Sequence, residues 1–307
     1  MKRAVTVGDT CIDYYEGMDR WYPTGNCVDF AVNLADLGGE VSIVSRVGKD
    51  RYGESVRKLL RRHGVFSRYV SEQEGRTPMT RMTLGGPSGK DRIHGSFDEG
   101  VMKDFCLREE ELAFILTHQF VHTHLYGRAD RYLPVFKENG QTVIYDFSTS
   151  WDPVQHREAE KYVDYGIYSW KQDDALIRRY LRESVLFSDM KAAIATLGEE
   201  GSICCMRSGE TEPALKEEDR SNCRSLHKEA EIFEEDGVCY VCQPAVYVPE
   251  DKLVNTVGAG DSFIAGFVRG LQEEREIADC MACGAETAAR IVQVFEPFLP
   301  CEEKESL

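Results

Sequence analysis

Residues 252–271 read KLVNTVGAGDSFIAGFVRGL. A short apolar run passes through a glycine-rich turn into a stretch whose Phe263, Phe267 and Leu271 recur at i, i+4 spacing, so the pattern is strand, tight turn, helix. Asp261 then falls in the first turn of that helix. The N–H groups of Gly258, Ala259, Gly260 and Asp261 have no carbonyl partner within a helix, and with the positive end of the helix dipole they form a site for an anion. The glycines let the backbone come close to it. A carboxylate beside such a site suits phosphoryl transfer: it orients and deprotonates an attacking hydroxyl while the N–H groups take up charge on the moving phosphate. Taken alone, Asp261 is equally well a residue that caps a helix after a glycine turn.

Outward from this stretch, short apolar runs ending in Gly or Asp alternate with amphipathic ones, the rhythm of βαβ units. Strands are predicted at Ala4–Gly8, Val41–Val47, Phe120–Leu125, Thr142–Asp146, Gly166–Ser169, Ala192–Leu197 and Ser202–Met206. Helices are predicted at Val28–Leu37, Tyr52–His63, Arg131–Lys137 and Asp174–Arg182. A single domain over residues 1–307 follows, a three-layer α/β/α sandwich with a mainly parallel sheet. Residues 66–100 break the rhythm; the alternation in TPMTRMTL (77–84) and DRIHGSF (91–97) predicts a small β-lid outside the main sheet. Residues 207–237 are highly charged and separate two apolar strand candidates, which predicts a solvated surface insertion.

Thirty-seven basic against fifty-three acidic residues give a net charge of −16, which works against binding to nucleic acid or anionic lipid. The opening MKRAVTVGD is too short in apolar length for a signal segment, and no later run reaches spanning length, so a soluble cytoplasmic chain without membrane partners is expected. Eleven cysteines in such a chain are read as reduced thiols. Cys239 and Cys242 form a CxxC, but they face opposite sides of a strand and no second pair stands at zinc-site spacing, so no metal ligand is assigned.

Two nucleotide signatures fail. GAGDSF has Phe263 where a dinucleotide fingerprint needs Gly or Ala, which argues against an oxidoreductase. GGPSGKD (85–91) has its first Gly one residue too close and Asp91 where a phosphate loop needs Ser or Thr. His118, His122 and His124 bunch around one strand; only His122 and His124 share a face, and His124 with Tyr126 ends the strand at the edge where open α/β sheets bind ligands. Arg92, in the lid pattern, is a donor suited to a carboxylate or phosphate.

NTVGAGDSFIAGF resembles the C-terminal signature of the PfkB, or ribokinase-like, carbohydrate kinases, D-T-x-G-A-G-D. Other landmarks follow in the family's order: VGDTCIDYYEG (7–17), TGNCVDFAVNLADLG (24–38), SRVGKDRYGESVRKLLRRHGV (45–65) and TLGEEGS (196–202). The resemblance implies Asp261 as catalytic base and Gly258, Ala259 and Gly260 as its anion hole. It implies a sugar held by Asp9, Asp13, Gly25, Asn26 and Asp29 with Arg92 from the lid, and a nucleotide held by Thr196, Gly198 and Gly201 together with Gly258 and Gly260. It implies ATP and Mg2+, a lid of about residues 10–24 and 66–100, and a homodimer formed through that lid. Within the family, GDTCIDYY, DRIHGSFDEGVMKDFCLREEEL and IYDFSTSWD are most like fructoselysine 6-kinases, which implies the 6-hydroxyl of fructoselysine as acceptor.

The pattern is not kept throughout. Asn255 stands where relatives carry an Asp that helps hold a monovalent cation, which leaves a requirement for that cation open. Thr24 and Asp29 replace a Gly and an Asn of the sugar segment. The acidic residues before the nucleotide strand are unclear in YSWKQDDA (168–175), where Asp173 or Asp174 would stand near magnesium. A kinase for another sugar or nucleoside, and a catalytically silent sensor on the same fold, are the alternatives.

Overall fold

The computed structural model describes residues 2–85, 91–149, 153–209 and 230–300. The strands are β1 (Ala4–Val7), β2 (Cys11–Tyr15), β3 (Arg20–Thr24), β4 (Val41–Gly48), β5 (Phe66–Gln73), β6 (Met79–Gly85), β7 (Asp91–Asp98), β8 (Phe120–His124), β9 (Thr142–Asp146), β10 (Tyr165–Ser169), β11 (Ala192–Thr196), β12 (Ser202–Arg207), β13 (Glu231–Glu235) and β14 (Val238–Gln243). The helices are α1 (Asn26–Asp36), α2 (Arg51–Arg62), α3 (Glu109–Ile115), α4 (Leu133–Glu138), α5 (Pro153–Glu160), α6 (Ala175–Phe187), α7 (Ala259–Gln272) and α8 (Ile277–Ile291).

Ten strands form one sheet in the order β13-β14-β12-β11-β10-β9-β8-β1-β4-β5. The pairs from β5 through β11 are parallel; β12, β14 and β13 add on antiparallel. Alternate side chains of each strand leave for opposite faces. Ala4, Ile144, Ile194 and Cys204 join α1, α2, α7 and α8 in one core, whereas Val5, Val143, Ala193 and Cys205 join α3, α4 and α6 in the other. Burial on both faces is why these strands read as continuous apolar runs, and it yields the expected three layers. Helix ends are marked locally: Asp50 Oδ1 accepts from Gly53 N at 2.8 Å to start α2, and Gly64, at φ +74°, follows its end.

A second sheet of four strands, β3-β2-β6-β7, forms the lid. Its own small core is Tyr15, Tyr22 and Met82, against which Phe295 packs. The lid hairpin read from residues 77–97 is present as β6 and β7, and residues 10–24 supply β2 and β3.

Several boundaries differ from the sequence reading. Phe66–Gln73 belongs to the main sheet as edge strand β5, parallel to β4, and not to the lid; in this strand only Val70 is buried, so no apolar run announces it. The charged stretch 207–237 ends in strand β13, whose EIFEE pairs antiparallel with β14 and leaves Ile232 58% exposed. Residues 210–229 of that stretch and 86–90 of GGPSGKD lie outside the described residues. The run before Gly258 joins no ladder: Val254 N and Asn255 N both donate to the carbonyl of Val292, at 2.9 and 3.2 Å. Arg131–Lys137 divides into a 3-10 turn, Asp130–Tyr132, and α4, with Pro134 in the first turn of the latter.

Helix α7 carries the stretch that follows the glycine turn, with Phe263, Phe267 and Leu271 turned into the core. It lies against α8 closely enough that a Cβ on Gly266 would stand 2.5 Å from the carbonyl oxygen of Cys283, a backbone atom that cannot rotate away. Gly266→Ala is therefore expected to lower stability by roughly 1–3 kcal/mol in urea unfolding despite the better helix propensity of Ala; a stabilised variant would show that the two helices are free to separate.

Candidate active site

The carboxyl ends of β1, β8, β9 and β10 and the N-terminus of α7 surround a cavity of about 1180 Å³, which the lid also lines. This is the edge at which open α/β sheets take ligands. Asp9, Asp13, Asp29, Asp130, Asp146 and Asp261 line it together with the guanidinium groups of Arg92 and Arg128, so its interior is strongly acidic.

Asp9 follows β1. Its Oδ1 accepts from Cys27 N at 3.2 Å, at the start of α1, and lies 2.9 Å from His124 Nε2 at the end of β8. His124 is fully buried. Burial works to raise the Asp9 carboxyl, but the His124 charge and the N–H groups of α1 bring it below its ordinary range. Burial likewise opposes charge on His124, and Asp9 overrides it, holding the imidazole well above its usual range and hence protonated at neutral pH. The other two histidines serve packing. His122 shares a 2.9 Å hydrogen bond with Thr6 and is pushed down to about 3, mainly by burial; His118 meets Ser42 at 3.0 Å.

Asp9, Cys27 and His124 place ligand atoms within 4.8 Å of one another, the one such set among the described residues.

Asp261 occupies the first turn of α7, after Gly258, whose φ of +76° and whose approach to Pro297 (2.3 Å from a would-be Cβ) admit only glycine. Its Oδ1 has no hydrogen-bond partner. Burial first, and the nearby Asp146 charge second, push its carboxyl up to about 8. Asp29, on α1, accepts from Thr24 Oγ1 at 2.7 Å through Oδ2 and leaves Oδ1 unpartnered; burial and the Asp261 charge raise it well above the carboxylate range. Asn26 Nδ2 donates to Asp146 Oδ2 at 3.3 Å, and Ser148 N to Asp146 Oδ1 at 2.7 Å. The floor thus presents carboxylate oxygens without donors, an arrangement that accepts hydroxyl or ammonium hydrogens and can remove a proton.

Asp9, Asp13, Gly25, Asn26, Asp29, Arg92, Gly258, Gly260 and Asp261 all line this cavity. Ala259, the first residue of α7, is not among the lining residues. Thr196, Gly198 and Gly201 form a turn between β11 and β12, closed by Leu197 N donating to Gly201 O at 2.8 Å; none of them lines the cavity. Asp173 and Asp174 do not reach it either. Asp174 caps α6 by accepting from Leu176 N and Ile177 N at 3.0 and 2.9 Å, and Asp173 is paired with Arg178. Asn255 is 6% exposed; its Nδ2 donates to Val294 O and Phe295 O at 2.7 and 3.0 Å, so an amide, and no carboxylate, faces those carbonyls. Asp146 and Asp130 were not singled out from the sequence, although an apolar strand ending in Asp, as IYD (144–146) does, carries a signal for the first.

The sequence pattern of the pfkB family carbohydrate kinases matches residues 20–104 and 235–304. The fructoselysine 6-kinase of Escherichia coli K12 is 30% identical over 294 residues, 95% of this chain and 98% of that protein. A fructosamine kinase of Bacillus subtilis is 28% identical over 299 residues, 96% and 93% of the two chains. The structure of Arabidopsis thaliana ribokinase complexed with ribose and ATP superposes with a TM-score of 0.73 at 18% identity, covering 95% and 93% of the two chains. A microbiome-derived acarbose kinase superposes at 0.74 and 15%, covering 98% and 95%.

With Asp9→Asn the main anionic partner of His124 is gone, and burial is opposed only by Cys27 and by the carboxyls of Asp130, Asp146 and Asp261. Its ring is expected to be neutral at pH 7 in 15N-histidine NMR spectra, where the wild type shows an imidazolium. An unchanged imidazolium would mean that another group holds the proton.

Proposed function

We propose that this chain, which belongs to the pfkB family of carbohydrate kinases, transfers the γ-phosphoryl group of ATP to the 6-hydroxyl of fructoselysine, with Asp261 as the base. One observation carries the reading: an unpartnered carboxylate oxygen of Asp261 faces the acidic cavity from the same helix start whose N–H groups form an anion site. Asp261 accepts the proton of the sugar hydroxyl as the oxygen attacks phosphorus, and the N–H groups of Gly258 and Gly260 take up charge on the transferred group, whereas the N–H of Ala259 donates to Thr256 O at 3.3 Å. Its raised pKa suits it to hold that proton in transit.

The substrate follows from the relatives' names and from the charge of the cavity. A fructosyl group joined to the side-chain nitrogen of lysine carries an ammonium next to the sugar; Asp9 and Asp13 supply carboxylates for that ammonium, and the Asp29 carboxyl, held above the carboxylate range, is a hydrogen-bond partner for a ring hydroxyl. ATP lies toward Gly258. Asp146 and Glu250 of the cavity wall offer the hard oxygen donors that would hold magnesium, the usual companion of ATP, which when bound would neutralise charge on the phosphates. Asn255 uses its amide hydrogens on the loop carbonyls of residues 294 and 295, which supports a site that works without a monovalent cation.

Asp261→Asn is expected to lower kcat by roughly 100- to 10,000-fold in a folded protein. The acid limb of the wild-type kcat/KM profile should fall near pH 8, because Asp261 must be ionised to act, and Asp146→Asn, which removes a neighbouring charge, should move that limb to lower pH. Near-wild-type turnover of the Asp261→Asn enzyme would end the assignment.

Catalytic efficiency compared on fructoselysine, fructose, ribose and adenosine should be highest on fructoselysine and equal in potassium-, sodium- and Tris-based buffers. Fructoselysine as the poorest acceptor would refute the substrate, and strict dependence on potassium would refute the role given to Asn255.

A further inference from the structure

The lid and the anion-binding loop meet at one backbone carbonyl. Arg92, on lid strand β7, donates through Nη2 to Phe295 O at 2.7 Å and through Nη1 to the hydroxyls of Tyr15 and Tyr22 at 2.6 and 2.5 Å. Its guanidinium lies 4.1 Å above the Phe295 ring, a cation–π contact. Phe295 O also accepts from Asn255 Nδ2 at 3.0 Å, and Asn255 Oδ1 accepts from Val257 N at 2.6 Å, one residue before Gly258. In the other direction Tyr22 donates to Asp13 Oδ2 at 3.3 Å. Donors and acceptors are consistent along the whole chain: Arg92 to Tyr22 to Asp13 on one side, and Arg92 and Asn255 to a shared carbonyl on the other.

With its planar fork spread over three acceptors, Arg92 is occupied as a clamp between elements. The groups it joins line one cavity from different elements: Asp13 from lid strand β2, and Val257 with Gly258 from the head of α7. We infer that Arg92 is a positioning residue that couples the sugar end of the cavity to the phosphate end. A sugar that engages Asp13 orders Tyr22 and Arg92. Arg92 then holds the Phe295 carbonyl, and through Asn255 the turn whose N–H groups meet phosphate. The inference rests on the reading above, in which sugar lies against Asp13 and phosphate against Gly258–Asp261.

Calorimetric titration of the full chain with Mg·AMP-PNP, with and without saturating fructoselysine, measures the coupling. Wild type is expected to bind the nucleotide about 5- to 100-fold more tightly with sugar present. In Arg92→Ala the ratio should fall to within about twofold of one, because truncation breaks both arms of the clamp. Arg92→Lys, which keeps the charge without the fork, should lose most of the ratio as well. Asn255→Ala severs the other side of the same carbonyl, so the double variant should lose no more coupling than Arg92→Ala alone.

A ratio preserved in Arg92→Ala, additive losses in the double variant, or a wild-type ratio near one would each overturn the inference. Thermal melting identifies any variant that fails to fold, and Arg92→Lys then serves in place of Arg92→Ala. If the wild type phosphorylates another sugar of the panel and not fructoselysine, the substrate assignment fails while the coupling is read with that sugar, so the two failures stay distinct.

Discussion

Asp9 and the fully buried His124 form an ion pair on which the arrangement of the site depends. One partner follows β1, the other ends β8, and the first residues of α1 complete the contact through Cys27 N. The charge on His124, fully buried, is not tolerable there without Asp9, whose side chain is 18% exposed to the cavity, and without that partner the imidazole releases its proton. Two neighbouring strands and a helix are thereby held at fixed distance around the cavity, and β2 and β3 of the lid leave from the same β1–α1 connection.

The pair also sets the electrostatics. Among the described residues, His124 is the one buried cation whose charge reaches Asp9, Asp146 and Asp261 together, lowering each, while the carboxylates raise one another. For Asp9 the balance favours the ion; for Asp146 and Asp261, with fewer compensating donors, burial wins. A cavity with so many carboxylates is unstable toward itself and favourable to a ligand that brings hydroxyl and ammonium hydrogens. Crowding of like charge is tolerated at this site because the same groups must later accept those hydrogens.

Legibility in the sequence follows burial. Strands sandwiched between two helical layers must be apolar on both sides, so β1, β4, β8, β9 and β11 are visible as runs, and the glycine turn before Asp261 is visible because a tight approach to Pro297 permits nothing larger. Edge strands β5 and β13 are half-exposed and carry charge, the composition that keeps an edge from pairing further, and so they look like loop. The opposite error occurs at Leu253 and Val254, which are apolar without belonging to a sheet. Pairings between distant elements are the least legible part. Nothing local tells that His124 will meet Asp9, or that Asp174 spends its carboxylate on the start of α6 and Asp173 its own on Arg178.

The lid is woven from two separate lengths of chain. β2 and β3 come from between β1 and α1, whereas β6 and β7 come from between β5 and α3, and the two ribbons are joined by the parallel pairing of Ile12–Tyr15 with Met79–Met82. The roof of the cavity is therefore tied to the body at four points. No contiguous stretch of chain contains it, so it cannot be cut out, transplanted or exchanged between relatives as a cassette. Any inherited change in what the roof admits must arise residue by residue on two ribbons at once, in register with the floor they cover.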